Sequence, residues 1–248
     1  MLVAAGLGLV LAPAWVWLAR ASLDMYGDMN GPSAWMMRAT WDASYTALIF
    51  AMWTVMMIGM MLPSAAPAIL VYARVARSGP EPERPVLRAY LFAAGYLVAW
   101  AAFSAAATLA QRTLATRALM TPMMESASPY FAAALLAVAG IYQWSAAKRS
   151  CLVECRSPAS FIVEHWRPGG SGALRLGIEH GVYCVGCCWA LMLLLFAGGV
   201  MSLPWIAGLS LFVLFEKVGP AARWSDRLAG AALLAAGVVS AIAHVVRG

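Results

Sequence analysis

Uninterrupted apolar runs, each about the length of a bilayer crossing, recur along this chain and constrain its fold more than any motif does. A helix that spans the roughly 30 Å hydrocarbon layer needs about 20 mostly apolar residues. Runs of that kind lie near 2–19, 45–73, 89–110, 128–147, 181–201, 204–222 and 228–246. With 63% of the 248 residues hydrophobic and 11% charged, a soluble core of this size cannot hide the apolar surface. Mean hydropathy is +0.76, and the solvent of such a chain is largely lipid. The sequence therefore predicts an all-α fold, a polytopic transmembrane helix bundle of about seven helices in a single integral-membrane domain, 1–248. The alternative is six spans plus a re-entrant hairpin, because the uncharged stretch 181–215 is long for one crossing and short for two.

Charge orients the bundle. The net charge of +6 comes from 17 Lys+Arg against 11 Asp+Glu. Most of the cations fall in three short loops: Arg74, Arg77, Arg84 and Arg88, then Lys148, Arg149, Arg156, Arg167 and Arg175, then Lys217, Arg223 and Arg227. Cytoplasmic loops retain Lys and Arg, so these loops read as cytoplasmic, with the N-terminus inside and the C-terminus outside. Retention explains the basic excess, and no nucleic-acid partner is expected. The first run lacks the charged flank of a signal peptide and reads as a retained helix. Ser202-Leu203-Pro204 supplies a start for the sixth helix, with Ser202 as its cap. The connector 78–88 is too proline-rich for a helix. Pro63 and Pro67 are expected to break the second helix, as prolines do where backbone lines a cavity.

All five cysteines fall in one window: Cys151, Cys155, Cys184, Cys187 and Cys188. By this orientation they lie in the fourth loop or at its membrane edge, where thiols stay reduced. An odd number of thiols there favours metal ligation or redox chemistry over a disulfide framework. If 180–188 is helical, at about 100° per residue Cys187, His180, Cys184 and Cys188 share an arc of about 100°. Cys151 and Cys155, four apart, share a face if the fourth helix continues to Ser157-Pro158. Two thiolates facing two or three others suit Cu(I), Zn(II) or an iron–sulfur cluster, and spacing does not choose among them.

The 15 methionines also cluster. Met52, Met56 and Met60 form one stripe of the second helix, with Met57 and Met61 adjoining. Met25, Met29, Met36, Met37, Met120, Met123 and Met124 lie in or near the outer loops. Thioether binds Cu(I) without deprotonation, so an outward-facing methionine set above an intramembrane stripe forms a copper inlet on this reading. Packing is the plainer explanation of such a stripe. Glu216 and Lys217 sit near the inner end of the sixth run; an ionisable residue within a span marks function, here a proton-linked or supporting role beside the thiols. His165 reads as solvated.

The run AMWTVMMIGMMLPSAAP, the CxGCCW block (Cys184–Trp189) and the EKxxP block (Glu216–Pro220) resemble the bacterial domain of unknown function 2182 family over roughly 45–222. Its members are described as predicted metal-binding integral membrane proteins. The resemblance implies the cytoplasmic membrane of a bacterium and places the family's motif residues at Cys151, Cys155, His180, Cys184, Cys187, Cys188, Glu216 and Lys217.

The sequence favours a metal-handling membrane protein, with copper as the metal, that binds Cu(I), transfers it or delivers it to a partner metalloenzyme. A binding protein is favoured over an enzyme, and no phosphate-binding GxxxxGK[ST] motif is present. Two alternatives belong to other classes. One is a membrane thiol–disulfide oxidoreductase that cycles Cys151/Cys155 and Cys184/Cys187. The other is an accessory subunit of a larger membrane complex, its metal site structural. The small-residue face of 92–110 would seat such a partner.

Overall fold

The computed structural model describes residues 2–37, 40–78, 84–219 and 222–247. Pro220, which ends the EKxxP block, and residues 79–83 of the connector lie outside them. The described chain is all-α, in the order α1 (Leu2–Met25), α2 (Pro32–Met36), α3 (Ala43–Ser78), α4 (Pro85–Thr116), α5 (Pro129–Gln143) and α6 (Ala146–Arg156). It continues through α7 (Pro158–Glu164), α8 (Gly169–Met192), α9 (Leu194–Gly198), α10 (Leu203–Val218) and α11 (Ala222–Arg247).

Local chemistry sets several starts. Ser128 Oγ accepts from the Phe131 amide with Pro129 in the first turn of α5, and Ser145 Oγ accepts from the Lys148 amide to open α6. Ser202 is the N-cap of α10 through its backbone, but its side chain makes no capping bond. The run 128–147 thus ends at Gln143, and α6 leaves at an angle of 65° to α5. The run expected from 181 begins instead at Gly169, just after Pro168.

Five stretches are long and apolar enough to cross a membrane: Leu2–Met25, Ala43–Ser78, Pro85–Thr116, Gly169–Gly198 and Trp224–Val245. The bent α5–α6 pair makes a sixth if it is one span. Helix α10 has 16 residues, about 24 Å of rise at about 1.5 Å per residue. That is short of the layer, so by length and apolar content five or six stretches among the described residues qualify, beside the about seven expected.

Helix α3 is central. It runs unbroken through Pro63 and Pro67, so the expected interruption is absent. The reason is a substitute bond. Pro63 has no N–H to offer the Gly59 carbonyl four residues back, and Trp15 Nε1 of α1 donates to that oxygen at 3.1 Å. Helices α4 and α8 run parallel at close quarters. A Cβ on Gly95 would fall 2.1 Å from Leu174 O, and one on Gly177 would fall 2.0 Å from Phe92 O. Small residues permit such approach between membrane helices, and the small-residue face of 92–110 around Gly95 is taken by α8.

Candidate metal centre

Regular helix through α8 stacks three thiols on one side. The Sγ atoms of Cys184, Cys187 and Cys188 all lie within 4.8 Å of one another, and none of the three residues exceeds 2% exposure. Cys187 and Cys188 donate to the Cys184 carbonyl at 3.1 and 2.9 Å, the backbone bond open to a short polar side chain in a helix. Helix α6 crosses α8 and brings Cys155 Sγ to 4.0 Å from Cys187 Sγ. Cys151 is half-buried beside Gly186, where an added Cβ would meet its Sγ at 2.7 Å. All five are free thiols.

The centre lies deeper than a loop edge. Tyr96 Oη, from the interior of α4, lies 3.0 Å from Cys184 Sγ and 3.1 Å from the carbonyl of Met61 in mid-α3. Its single proton serves one of these at a time. With Cys184 as a thiol, S–H donates to the phenol and the phenol to Met61; with Cys184 as a thiolate, the phenol donates to sulfur. The Tyr96–Cys184 bond thus persists in either form, and the thiolate form gives up the Tyr96–Met61 bond. No sequence signal beyond a tyrosine in a small-residue run marks Tyr96.

Lys217 supplies the charge. Its Nζ donates to Cys184 Sγ at 2.8 Å and to Ser64 Oγ at 2.9 Å, and the residue is buried. No carboxylate pairs with it among the described residues. A buried ammonium needs a counter-charge, and Cys184 sulfur is the group placed to carry it.

Glu216, the residue before, faces elsewhere. Lys148 Nζ of α6 pairs with Glu216 Oε1 at 2.6 Å, bonds Gln143 Oε1 and lies 3.9 Å from Asp226 of α11. Arg156 donates to the Glu216 carbonyl at 2.8 Å and lies 3.8 Å from Asp226. Lys148 and Glu216 are almost fully buried, and this polar knot ties α5, α6, α10 and α11 together.

His180 is buried and shares the predicted arc, yet stands apart from the three-thiol group. Its ring packs among Phe92, Tyr96 and Phe161 at 5.8, 6.0 and 5.2 Å, and Nδ1 has no hydrogen-bond partner. His165, expected to be solvated, stacks on Phe161 at 4.8 Å. Met52, Met56 and Met60 are buried in α3, but so are Met57 and Met61, so burial does not single out the stripe. The outer methionines are not an exposed set: Met25, Met36, Met120 and Met124 are buried, and Met29 is 39% exposed. A cavity of about 190 Å³ lies among Met37, Met120, Met124 and Tyr45 at that end. A second, of about 200 Å³, reaches Cys155 and Lys217 past Ser64, Pro67 and Pro158.

Residues 50–240 match the family model PpoB2, described as a copper chaperone. No curated protein and no solved structure matches the chain.

Proposed function

The chain belongs to the PpoB2 copper-chaperone family, and on that premise we propose that it carries Cu(I) as cargo within the membrane. Cys184, Cys187 and Cys188 hold the ion, and Cys155 passes it on. The observation that carries this reading is the buried Lys217 ammonium against Cys184 Sγ. Thiolate, not thiol, is the ligand, and a cation at 2.8 Å favours that form. Cu(I) held by two of these sulfurs as thiolates, with the third kept as a neutral thiol, carries one net negative charge, which one lysine offsets. A four-thiolate Zn(II) site carries two, and one lysine leaves half of that uncompensated. Soft, low-coordinate ligation also suits Cu(I).

Cys155 lies between Cys187 and the 200 Å³ cavity, a position suited to ligand exchange with an acceptor. We place that mouth on the cytoplasmic side of a bacterial membrane with the N-terminus inside, because it adjoins the basic loops. His180 is a reserve ligand one turn from Cys184. Met52, Met56 and Met60 form the approach from the opposite end. Glu216 positions α6, and the acceptor is a metalloenzyme. The likeness to the domain of unknown function 2182 family supports the same reading.

The test is Cu(I) competition against a chromophoric chelator on anaerobically purified protein. About one tightly held ion per chain is expected, with a loss of at least about tenfold in affinity, or about 1.4 kcal/mol, for each of Cys184→Ser and Cys187→Ser. A folded triple Ser variant that binds copper like the wild type would sink the proposal. The 4.0 Å Cys155–Cys187 approach favours one other reading, thiol–disulfide exchange. Copper-independent formation of that disulfide, reversed by a quinol, would favour it.

A further inference from the structure

Where α5 turns into α6 and meets the start of α11, a cavity of about 490 Å³ opens away from the thiols. Arg149, Arg156 and Arg227 line it. Arg149 and Arg227 are exposed and have no carboxylate partner among the described residues. Arg156 is held in place by Glu216 and Asp226, and the Asp226 carboxylate is itself shared between Arg156 and Lys148. The cavity therefore carries surplus positive charge. Gln143 also lines it at 1% exposure; its oxygen is taken by Lys148, but Nε2 has no hydrogen-bond partner. A buried amide that donates to nothing is costly. The Arg149 guanidinium, that of Arg227, whose carbon lies 5.8 Å from the Trp224 ring centroid, and an unused amide donor are complementary to an oxyanion, and planar guanidinium matches phosphate oxygens two at a time.

The rest of the wall is apolar. Leu152, Val153 and Trp144 line the cavity, and Trp144 Nε1 is tied to the Arg227 carbonyl at 3.3 Å. Exposed Ile141 of α5 and Leu228 of α11 continue that surface along helices suited to lipid contact. Basic pockets between membrane helices hold anionic headgroups in this manner.

We propose that this cavity binds a phosphate group through Arg149, Arg227 and the Gln143 amide. The headgroup of an anionic phospholipid is the source that the apolar wall fits, and inorganic phosphate is the other. The full chain in phosphatidylcholine nanodiscs is titrated with phosphatidylglycerol in one arm and with inorganic phosphate in the other, read by thermal midpoint and by native mass spectrometry. Arg149→Gln with Arg227→Gln changes two exposed side chains and should lower the apparent affinity by about tenfold or more. Arg112→Gln with Arg117→Gln removes the same charge at the opposite end of α4 and should leave it unchanged. Phosphatidylglycerol bound alone, with that pattern of loss, identifies the headgroup; inorganic phosphate bound with the same pattern identifies a soluble anion. A wild type that binds neither probe, a cavity variant that binds like the wild type, or a control pair that loses as much would overturn the proposal.

Discussion

Lys217 Nζ lies 2.8 Å from Cys184 Sγ, joining α10 to α8 deep within the bundle. A buried ammonium without a carboxylate fixes where negative charge resides among neighbouring thiols. On the proposed function, that charge marks Cys184 among the three as the thiolate that a metal would meet.

Lys217→Met keeps the bulk of the side chain and removes that charge. Cu(I) affinity is expected to fall by about tenfold or more, since the thiolate must now form unaided. Chelator competition measures it, with size-exclusion chromatography confirming the fold. Unchanged affinity would show that Lys217 has no part in binding.

The Lys148–Glu216 pair makes a different demand. Removing one partner of a buried ion pair costs about 3–5 kcal/mol, whereas replacing both by apolar groups costs little. Glu216→Leu alone is therefore expected to lower unfolding stability in mixed micelles far more than Glu216→Leu combined with Lys148→Met. Equal losses would mean that the pair is not coupled in the folded state.

Trp15 Nε1 bonds the Gly59 carbonyl that Pro63, lacking an N–H, leaves without its helical donor. Trp15→Phe should cost about 1–2 kcal/mol, because it strands that acceptor. In a Pro63→Ala background the restored amide reaches the same oxygen, and the cost should shrink. A double-mutant cycle with a coupling energy under about 0.5 kcal/mol would refute the substitute-donor account.

Topology reporters test the side assignments. Val200 N donates to Met124 O at 3.1 Å, so reporters at Thr121 and Ser202 should read the same side. One at Gly170 should read the opposite, cytoplasmic side. Agreement between Gly170 and Ser202 would contradict a membrane crossing by Gly169–Gly198.

The thiol trio was legible in the sequence because helical spacing is a local property: residues three and four apart must share a face. The arc did not show that His180 stands outside the three-thiol group, because angle ignores rise. His180 and Cys188 are eight residues apart, about 12 Å along the axis at about 1.5 Å per residue, so a common face is not a common site. Cys155, Tyr96 and Lys217 reach the trio only through tertiary packing, and no pattern near them marks the meeting. Glu216 has its ion partner 68 positions away, at Lys148, a separation that no local pattern marks. Hydropathy counted the run 204–222 as a crossing, since it weighs apolar content and does not see that α10 ends at Val218.

Glu216 and Lys217 are consecutive, about 100° apart on their helix, yet they answer to different neighbours: one to α6, the other to α8. Their order therefore carries information that composition does not. Exchanging them, Glu216→Lys with Lys217→Glu, would conserve net charge, hydropathy and every residue count while setting ammonium against ammonium at Lys148 and carboxylate against sulfur at Cys184. Such a chain would be the same alphabet spelling a different word, and only the original spelling locks α10 at one rotation and one depth.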